Sequence, residues 1–128
     1  MTPMEQMKQK AKAVWSDFAL MENFTGMAAP RLVKFADINA NDTVLDVACG
    51  TGVVALTAAR CGASVTGADL TPELITRGKE NSKIFELDVD FDECDVECLT
   101  FKNASFDVVV SQFGHMFAPR PSVALSEM

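Results

Sequence analysis

The sequence predicts an α/β fold built on an open parallel sheet, and three observations predict it. Short segments rich in branched aliphatic residues, such as TVLDVA and FDVVV, are typical of strands buried on both faces. A segment with helical periodicity follows each of them, and turn residues separate the two. Strands that alternate with helices form parallel sheets with right-handed crossovers. The 128 residues are enough for one such domain.

Helices are predicted ahead of the sheet. Over residues 4–24 apolar side chains recur at three- and four-residue steps, which is typical of an amphipathic helix. The apolar stripe comprises Met4, Met7, Ala11, Val14, Trp15 and Phe18. A second helix is predicted at APRLVKFADI, with Pro30 in its first turn, and INANDT is predicted to be a turn. We therefore expect a helical segment over residues 1–40 and a sheet domain over residues 41–128.

From residue 43 onward the predicted strands and helices alternate. TVLDVA is the first strand, and GVVALTAARCG is a helix ended by Gly62. ASVTGADL is the second strand, and TPELITRGKENSKIFE is a helix with Thr71 at its N-cap and Pro72 at its first position. VDFDECD and SFDVVVSQFG are the third and fourth strands, and RPSVALSEM begins another helix. In such sheets ligands bind beyond the carboxyl ends of the strands.

Composition excludes several classes of function. A formal net charge of -7 argues against nucleic acid or an anionic membrane as the main partner. No segment has the about 20 apolar residues that cross a bilayer, and the amino terminus lacks the pattern of a secretory signal. The cysteines follow no disulfide framework, and Cys94, Cys98 and His115 lack the fourth ligand of a structural zinc site. We therefore expect a cytoplasmic protein without a bound metal. The only basic cluster, which we expect on a solvated helix face, comprises Lys8, Lys10 and Lys12.

The first strand ends at a glycine turn and carries an acid. In VLDVACGTG, Gly50 and Gly52 let the backbone approach a ligand closely. Asp69 ends the second strand, where a carboxylate accepts hydrogen bonds from ribose hydroxyls. The turn also satisfies the loose dinucleotide pattern, so two kinds of nucleoside cofactor stay open. Asp46 favours one of them, because a carboxylate at this place repels a pyrophosphate and attracts an ammonium or sulfonium group. S-adenosylmethionine therefore fits better than a nicotinamide dinucleotide.

Four segments taken together resemble a known family. VLDVACGTG, TGADLTPELI, ECDVECLTF and SFDVVVSQFGHMF look like the successive motifs of class I S-adenosylmethionine-dependent methyltransferases. The resemblance is closest to the branch that includes the ubiquinone and menaquinone biosynthesis enzymes, and it covers roughly residues 40–128. It implies a Rossmann-like, doubly wound parallel sheet preceded by N-terminal helices, with the strand order 3-2-1-4-5-7-6. Only four strands are found here, so we expect a sheet that is truncated after the fourth strand and incomplete at the C-terminus.

The resemblance implies cofactor-binding roles for residues of the first two motifs. The backbone of Ala48, Gly50 and Gly52 would lie against the methionine part of the cofactor. Asp46 would help receive the methionine ammonium, directly or through water. Asp69 would hold the ribose hydroxyls. Ala48 stands where many members of the family have glycine, which we expect to matter little.

The later motifs imply roles at the base and at the ammonium. Leu70 would pack on the adenine, Asp95 would accept a hydrogen bond from the adenine amino group, and the Val96 amide would reach the ring. Ser111 and Gln112, at the end of the fourth strand, would offer a carbonyl oxygen to the ammonium.

Each of these acids also has a purely structural interpretation. Asp46 fits a satisfied buried acid, Asp69 fits a helix N-cap, and Asp95 fits one more solvated charge among neighbouring acids. His115 is the only histidine, and we favour a loop role for it over that of a general base. An apolar group that either lines a substrate pocket or caps the core comprises Phe113, Met116 and Phe117.

The predicted function is methyl transfer from S-adenosylmethionine to a small molecule by the complete domain. The alternatives are a remnant that binds cofactor or a partner without turnover and, less favoured, a nicotinamide-binding module. Catalysis is expected to depend on positioning, because a sulfonium is already a good leaving group. We expect the 128-residue chain alone to be inactive and to self-associate through its apolar fourth strand. We also expect Asp69→Ala to weaken cofactor binding while leaving thermal stability nearly unchanged.

Overall fold

The computed structural model describes every residue from Met1 to Met128. The α-helices are α1 (Pro3–Trp15), α2 (Glu22–Thr25), α3 (Ala29–Phe35), α4 (Val53–Arg60), α5 (Pro72–Ile84) and α6 (Pro121–Glu127). The strands are β1 (Thr43–Val47), β2 (Ser64–Asp69), β3 (Val89–Glu93) and β4 (Val108–Val110). Two 3-10 helices cover Ser16–Met21 and His115–Phe117. None of the helices combines the length and the apolar character that a membrane span requires.

The four strands form one parallel sheet in the order β3-β2-β1-β4. At the centre, Leu45 of β1 lies opposite Thr66 of β2 and Val109 of β4. The last four residues of β1 are buried, as expected of a strand covered on both faces. The predicted Rossmann-like parallel sheet is therefore confirmed. The fourth strand is shorter than predicted, because regular pairing with β1 covers only Val108–Val110.

Apolar side chains pack on both faces of the sheet. On one face α3 and α4 cover the strands, and Ala29, Val33 and Val54 belong to the larger buried cluster there. On the other face Leu45 and Val47 are buried, and partly buried residues between Val96 and Val109, together with Met128, cover them. The segment between β3 and β4 therefore covers a sheet face without forming a helix. Helical periodicity could not predict this role, because the segment has none.

The N-terminal segment departs from the predicted single helix. A capping box starts α1, since the Glu5 amide donates to the Thr2 hydroxyl and the Thr2 amide donates to the Glu5 carboxylate. The helix ends at Trp15 and continues as the 3-10 helix and the short α2. No residue of α1 is fully buried, and Met7 and Val14 of the predicted apolar stripe are exposed. α1 is therefore not a core helix.

Ion pairs hold α1 across the carboxyl end of the sheet. Lys8 Nζ lies 2.5 Å from Asp95 Oδ2, and Lys12 Nζ lies 2.6 Å from Glu93 Oε1. The prediction of a solvated lysine face is therefore wrong for Lys8, whereas Lys12 stays partly exposed in its ion pair and Lys10 is exposed. Spacing along the helix could not show this, because the acids that pair with the lysines lie more than 80 residues away in the chain.

Candidate cofactor site

The carboxyl ends of the strands open into one cleft of about 1120 Å³, its mouth included. This is where open α/β sheets bind ligands, and α1 with the 3-10 helix after it forms one wall. The cleft brings together eight of the ten cofactor residues predicted from the sequence. They are Asp46, Ala48, Gly50, Asp69, Leu70, Asp95, Val96 and Gln112. Gly52 and Ser111 are not among its lining residues.

The two glycines of the turn after β1 have different structural roles. Both have left-handed backbone conformations, with φ of 56° at Gly50 and 86° at Gly52. A Cβ added to Gly50 would meet nothing within 4 Å, so this backbone borders the open cleft. A Cβ added to Gly52 would lie 2.8 Å from the Phe91 ring. Gly52 therefore allows α4 to pack closely on the sheet, and its predicted contact with the methionine part has no support from its position.

Ala48 is a larger departure from glycine than we expected from the sequence. Its φ of 53° lies in the left-handed region, which costs a residue with a Cβ about 1 kcal/mol. Its methyl group also touches the loop after β4, since a Cβ on Gly114 would overlap it. The methyl group therefore ties the turn after β1 to the loop after β4 at the bottom of the cleft.

Asp46 is both a satisfied buried acid and a cleft residue. Its side chain lines the cleft although the residue is only 1% exposed, and Oδ2 accepts a hydrogen bond of 3.0 Å from the Ala55 amide in the first turn of α4. Burial, with a smaller contribution from the charge of Asp69, raises the pKa of Asp46 to about 8. With no cation beside it, the carboxyl group is therefore mainly protonated at neutral pH, and a cation placed there would favour its ionised form.

This geometry changes the argument against a dinucleotide. Repulsion by an ionised Asp46 is weak at neutral pH, because the carboxyl group is mainly protonated. The side chain instead occupies the Ala55 amide, which is one of the donors that a pyrophosphate needs at the start of α4. A carboxyl group already placed at the helix N-terminus therefore disfavours a pyrophosphate there.

Asp69 connects the end of β2 to the glycine turn. Oδ2 accepts from the Gly50 amide at 2.8 Å, and Oδ1 accepts from the Thr71 amide at 2.9 Å. Burial raises the pKa of Asp69, and these amide hydrogen bonds oppose the shift. The N-cap position of α5 belongs to Thr71, whose side chain makes no capping bond, so Asp69 is not the N-cap. A carboxylate has about four lone-pair positions, so two remain for hydroxyl groups in the cleft.

Asp95 is held by the N-terminal helix as well as by its own loop. Oδ1 accepts from the Glu97 amide at 2.9 Å, and Oδ2 pairs with Lys8. The side chain is 26% exposed and lines the cleft. Asp95 is thus not a freely solvated charge, since the carboxylate expected to accept an adenine amino group already accepts the Lys8 ammonium group.

Glu97 is a buried ion-pair residue beside the site that sequence reasoning missed, because it resembled one more solvated acid. Its side chain is 1% exposed and pairs with Lys8 at 2.8 Å and with Arg120 at 3.0 Å. Burial acts to raise the pKa of Glu97, but hydrogen bonds from these two cations outweigh it and lower that pKa. Burial acts to lower the pKa of Lys8, but hydrogen bonds to Asp95 and Glu97 outweigh it and raise that pKa. Glu97 therefore connects α1 to the start of α6.

Backbone groups without a partner in the chain lie in the cleft at Val96 and Gln112 and beside it at Ser111. The Val96 amide donates no hydrogen bond within the chain, and the carbonyl oxygens of Ser111 and Gln112 accept none. The Gln112 side chain donates to the Thr25 carbonyl at 2.8 Å, while its Oε1 is buried without a partner. A ring nitrogen beside Val96 and an ammonium beside residues 111–112 would satisfy these groups.

The region after β4 forms the apolar end of the cleft. Phe113 and Phe117 line it, and Phe117 lies 5.1 Å from Trp15 between ring centroids. Met116 and His115 are not among the lining residues, and His115 Nδ1 is buried without a partner. The position of His115 gives no support for a role as general base.

Comparison with known proteins agrees with this geometry. The methyltransferase domain family matches residues 44–128. An uncharacterized protein of Mycobacterium tuberculosis is 40% identical over 110 residues, which are 86% of this chain and 40% of that protein. The ubiquinone/menaquinone biosynthesis C-methyltransferase UbiE of Bdellovibrio bacteriovorus is 36% identical over 77% of this chain and 43% of its own length. The crystal structure of YcgJ from Bacillus subtilis has a TM-score of 0.74 and 23% identity over 79% of this chain and 44% of its own, which shows the same fold.

The chain belongs to the methyltransferase domain family, as its motifs predicted. It spans about two fifths of the length of the curated relatives it matches.

Proposed function

We propose that the cleft binds S-adenosylmethionine and that the complete domain transfers the methyl group to a small molecule. The observation that carries the proposal is the set of polar groups at the carboxyl edge of the sheet that have no partner within the chain. Asp69 has free lone pairs, Val96 has a free amide, and residues 111–112 have free carbonyls. A ribose, a purine and an ammonium, placed in that order, would form hydrogen bonds with all of them.

Two groups of residues would bind the two parts of the cofactor, the adenosine and the methionine. Asp69 would hold the ribose hydroxyls, while Leu70 and the Val96 amide would hold the base. Gly50 and Asp46 line the part of the cleft where a methionine tail would lie. When bound, S-adenosylmethionine supplies a methyl group on a sulfonium, which is already a good leaving group. The chain's own contribution is then to hold the reacting groups in line and exclude water, which in favourable cases contributes about 7–11 kcal/mol.

The apolar end of the cleft supports an apolar or aromatic methyl acceptor. Trp15, Phe18, Phe113 and Phe117 line it, and flat apolar walls favour flat apolar ligands. The UbiE relative, named for quinone biosynthesis, supports an acceptor of small-molecule type. We assign no general base, so the rate of methyl transfer would depend on the reactivity and the orientation of the acceptor.

Calorimetric titration of the 128-residue chain tests the proposal. S-adenosylhomocysteine should bind at least about tenfold more tightly than NAD, a difference of about 1.4 kcal/mol. The matched variants are Asp69→Asn, which should weaken S-adenosylhomocysteine binding, and Asp90→Asn on the exposed side of β3, which should leave it unchanged. Equal or tighter binding of NAD would overturn the cofactor assignment. Undiminished affinity in Asp69→Asn would overturn the ribose role.

The two edges of the sheet also support the proposal that copies of this chain associate through β4. On β3 the exposed side chains include Asp90, Asp92 and Glu93, and such charges discourage strand pairing. The other edge, Val108–Val110, carries no charge. Sedimentation should show dimers or larger species, and a monomer at tens of micromolar would contradict this. A cytoplasmic setting and the absence of a nucleic-acid partner stay predictions.

A further inference from the structure

The wall formed by α1 is attached to the rest of the molecule by few contacts. No residue of α1 is fully buried. The helix is held by the Lys8 and Lys12 ion pairs at the β3 end and by the Trp15–Phe117 contact at the β4 end. Elements that contribute no fully buried residue to the core open with a lower free-energy cost than core elements. α1 therefore has the properties of a cover rather than of a fixed wall.

Lys8 is the central contact of this cover. Its Nζ lies between two carboxylates, 2.5 Å from Asp95 and 2.8 Å from Glu97. Glu97 is buried and also holds Arg120, so it keeps a cation whether or not Lys8 is present. Asp95 has no second cation within ion-pair distance. Oδ1 already accepts the Glu97 amide, so a ligand amine that donates to Asp95 would approach Oδ2 and weaken the contact that Lys8 makes there.

We propose that α1 is a cover latched by the Lys8–Asp95 ion pair, and that a ligand amine on Asp95 leaves Lys8 paired to Glu97 alone. The ligand-responsive half of this proposal rests on the proposed cofactor site. The exchange strands no charge, because Asp95 keeps a donor in the ligand and Lys8 keeps Glu97. Lys8 is thus a positioning residue that couples occupation of the base subsite to the attachment of the cover.

The first experiment needs no ligand. Trp15 is the only tryptophan, and it lies in the cover with its side chain lining the cleft. Acrylamide quenching of its fluorescence should increase on the order of twofold in Lys8→Gln, because the cover opens more often. The matched control Lys10→Gln removes the same charge from an exposed position of α1 and should match the wild type, as should Lys8→Arg. Unchanged quenching in Lys8→Gln, or an equal increase in Lys10→Gln, would overturn the latch.

The second experiment uses S-adenosylhomocysteine, followed by Trp15 fluorescence in a stopped-flow instrument. Association and dissociation should both accelerate in Lys8→Gln, by about three- to tenfold, with a smaller change in affinity. Acceleration of dissociation alone would mean that Lys8 contacts the ligand and does not compete with it, which overturns the exchange. Increased quenching in Lys8→Gln without any binding of S-adenosylhomocysteine to the wild type would uphold the latch and overturn the proposed cofactor.

Discussion

Two acids at the carboxyl ends of neighbouring strands are held in opposite ways. Asp69, at the end of β2, is buried, and both its oxygens accept backbone amides from Gly50 and Thr71. Asp95, after β3, is partly exposed, and one of its oxygens is held by Lys8 from α1. Asp69 is therefore part of the framework of the site, whereas Asp95 is a contact that can be exchanged. We expect the same kind of substitution to affect folding at the first position and mainly ligand binding at the second.

The largest expected effect is that of Asp69→Ala. Removing the carboxylate leaves the Gly50 and Thr71 amides without an acceptor, and Thr71 is 1% exposed. We expect the free energy of unfolding to fall by about 2–4 kcal/mol and S-adenosylhomocysteine binding to fall with it. This replaces the expectation, drawn from the sequence, that stability would hardly change. Urea denaturation measures it, and a loss no greater than that of Asp95→Ala would show that the two acids are held equally firmly.

Asp46→Asn should change how the free energy of unfolding depends on pH, which tests a second acid of the framework. The pKa of Asp46 is raised to about 8, so its stabilising contribution is complete below its unfolded pKa near 4 and is lost as pH rises through about 8. Asparagine keeps an acceptor for the Ala55 amide and does not ionise. Relative to the wild type, the variant should gain on the order of 5 kcal/mol as the pH rises from 4 to 9. Parallel stability curves for the two proteins would refute the buried-acid account.

Asp46→Asn should affect ligand binding in the opposite direction from stability at high pH. Asp46→Asn should weaken S-adenosylhomocysteine binding because the ionised form of Asp46 attracts the ammonium. In the wild type, affinity should rise as pH approaches about 8, since ligand binding then no longer has to remove the proton from Asp46. Calorimetry in two buffers of different ionisation enthalpy measures the released proton. Proton release that is equal in the wild type and the variant would exclude Asp46 as its source.

Asp95→Asn should affect the ligand more than the fold. The variant keeps the acceptor for the Glu97 amide and loses the ion pair with Lys8. S-adenosylhomocysteine affinity should fall by about tenfold, and unfolding free energy should change by less than about 1 kcal/mol. Asp92→Asn, an exposed position of β3, is the matched control and should change neither. A stability loss as large as that of Asp69→Ala would erase the distinction between the two acids.

The smallest effect is expected at the outer ion pair of the cover. Lys12 and Glu93 are both substantially exposed, and exposed pairs contribute about 0.2–1 kcal/mol. Lys12→Gln should therefore change stability by less than about 0.5 kcal/mol and leave Trp15 quenching unaltered. An increase in quenching as large as that of Lys8→Gln would move the latch from Asp95 to Glu93.

The parts of the site that lie close along the chain were predictable. The strand that ends in VLDVACGTG, the turn glycines and Asp69 follow from short-range pattern, because a parallel strand followed by a helix leaves few places for its loop. The different roles of the two turn glycines could not be predicted from the sequence. Gly52 serves packing against Phe91, and that contact depends on a ring from β3 which no local pattern reveals.

The sequence by itself determined the order of strands and helices, the family and the edge of the sheet at which the cleft lies. Only the tertiary structure decided that Lys8 leaves the solvated face for Asp95, and that Glu97 is buried between Lys8 and Arg120. The physical reason is distance along the chain. Hydrophobic periodicity can be recognised within a few neighbouring residues. An ion pair forms between groups that folding brings together, and in the sequence each of its members is one charge among many.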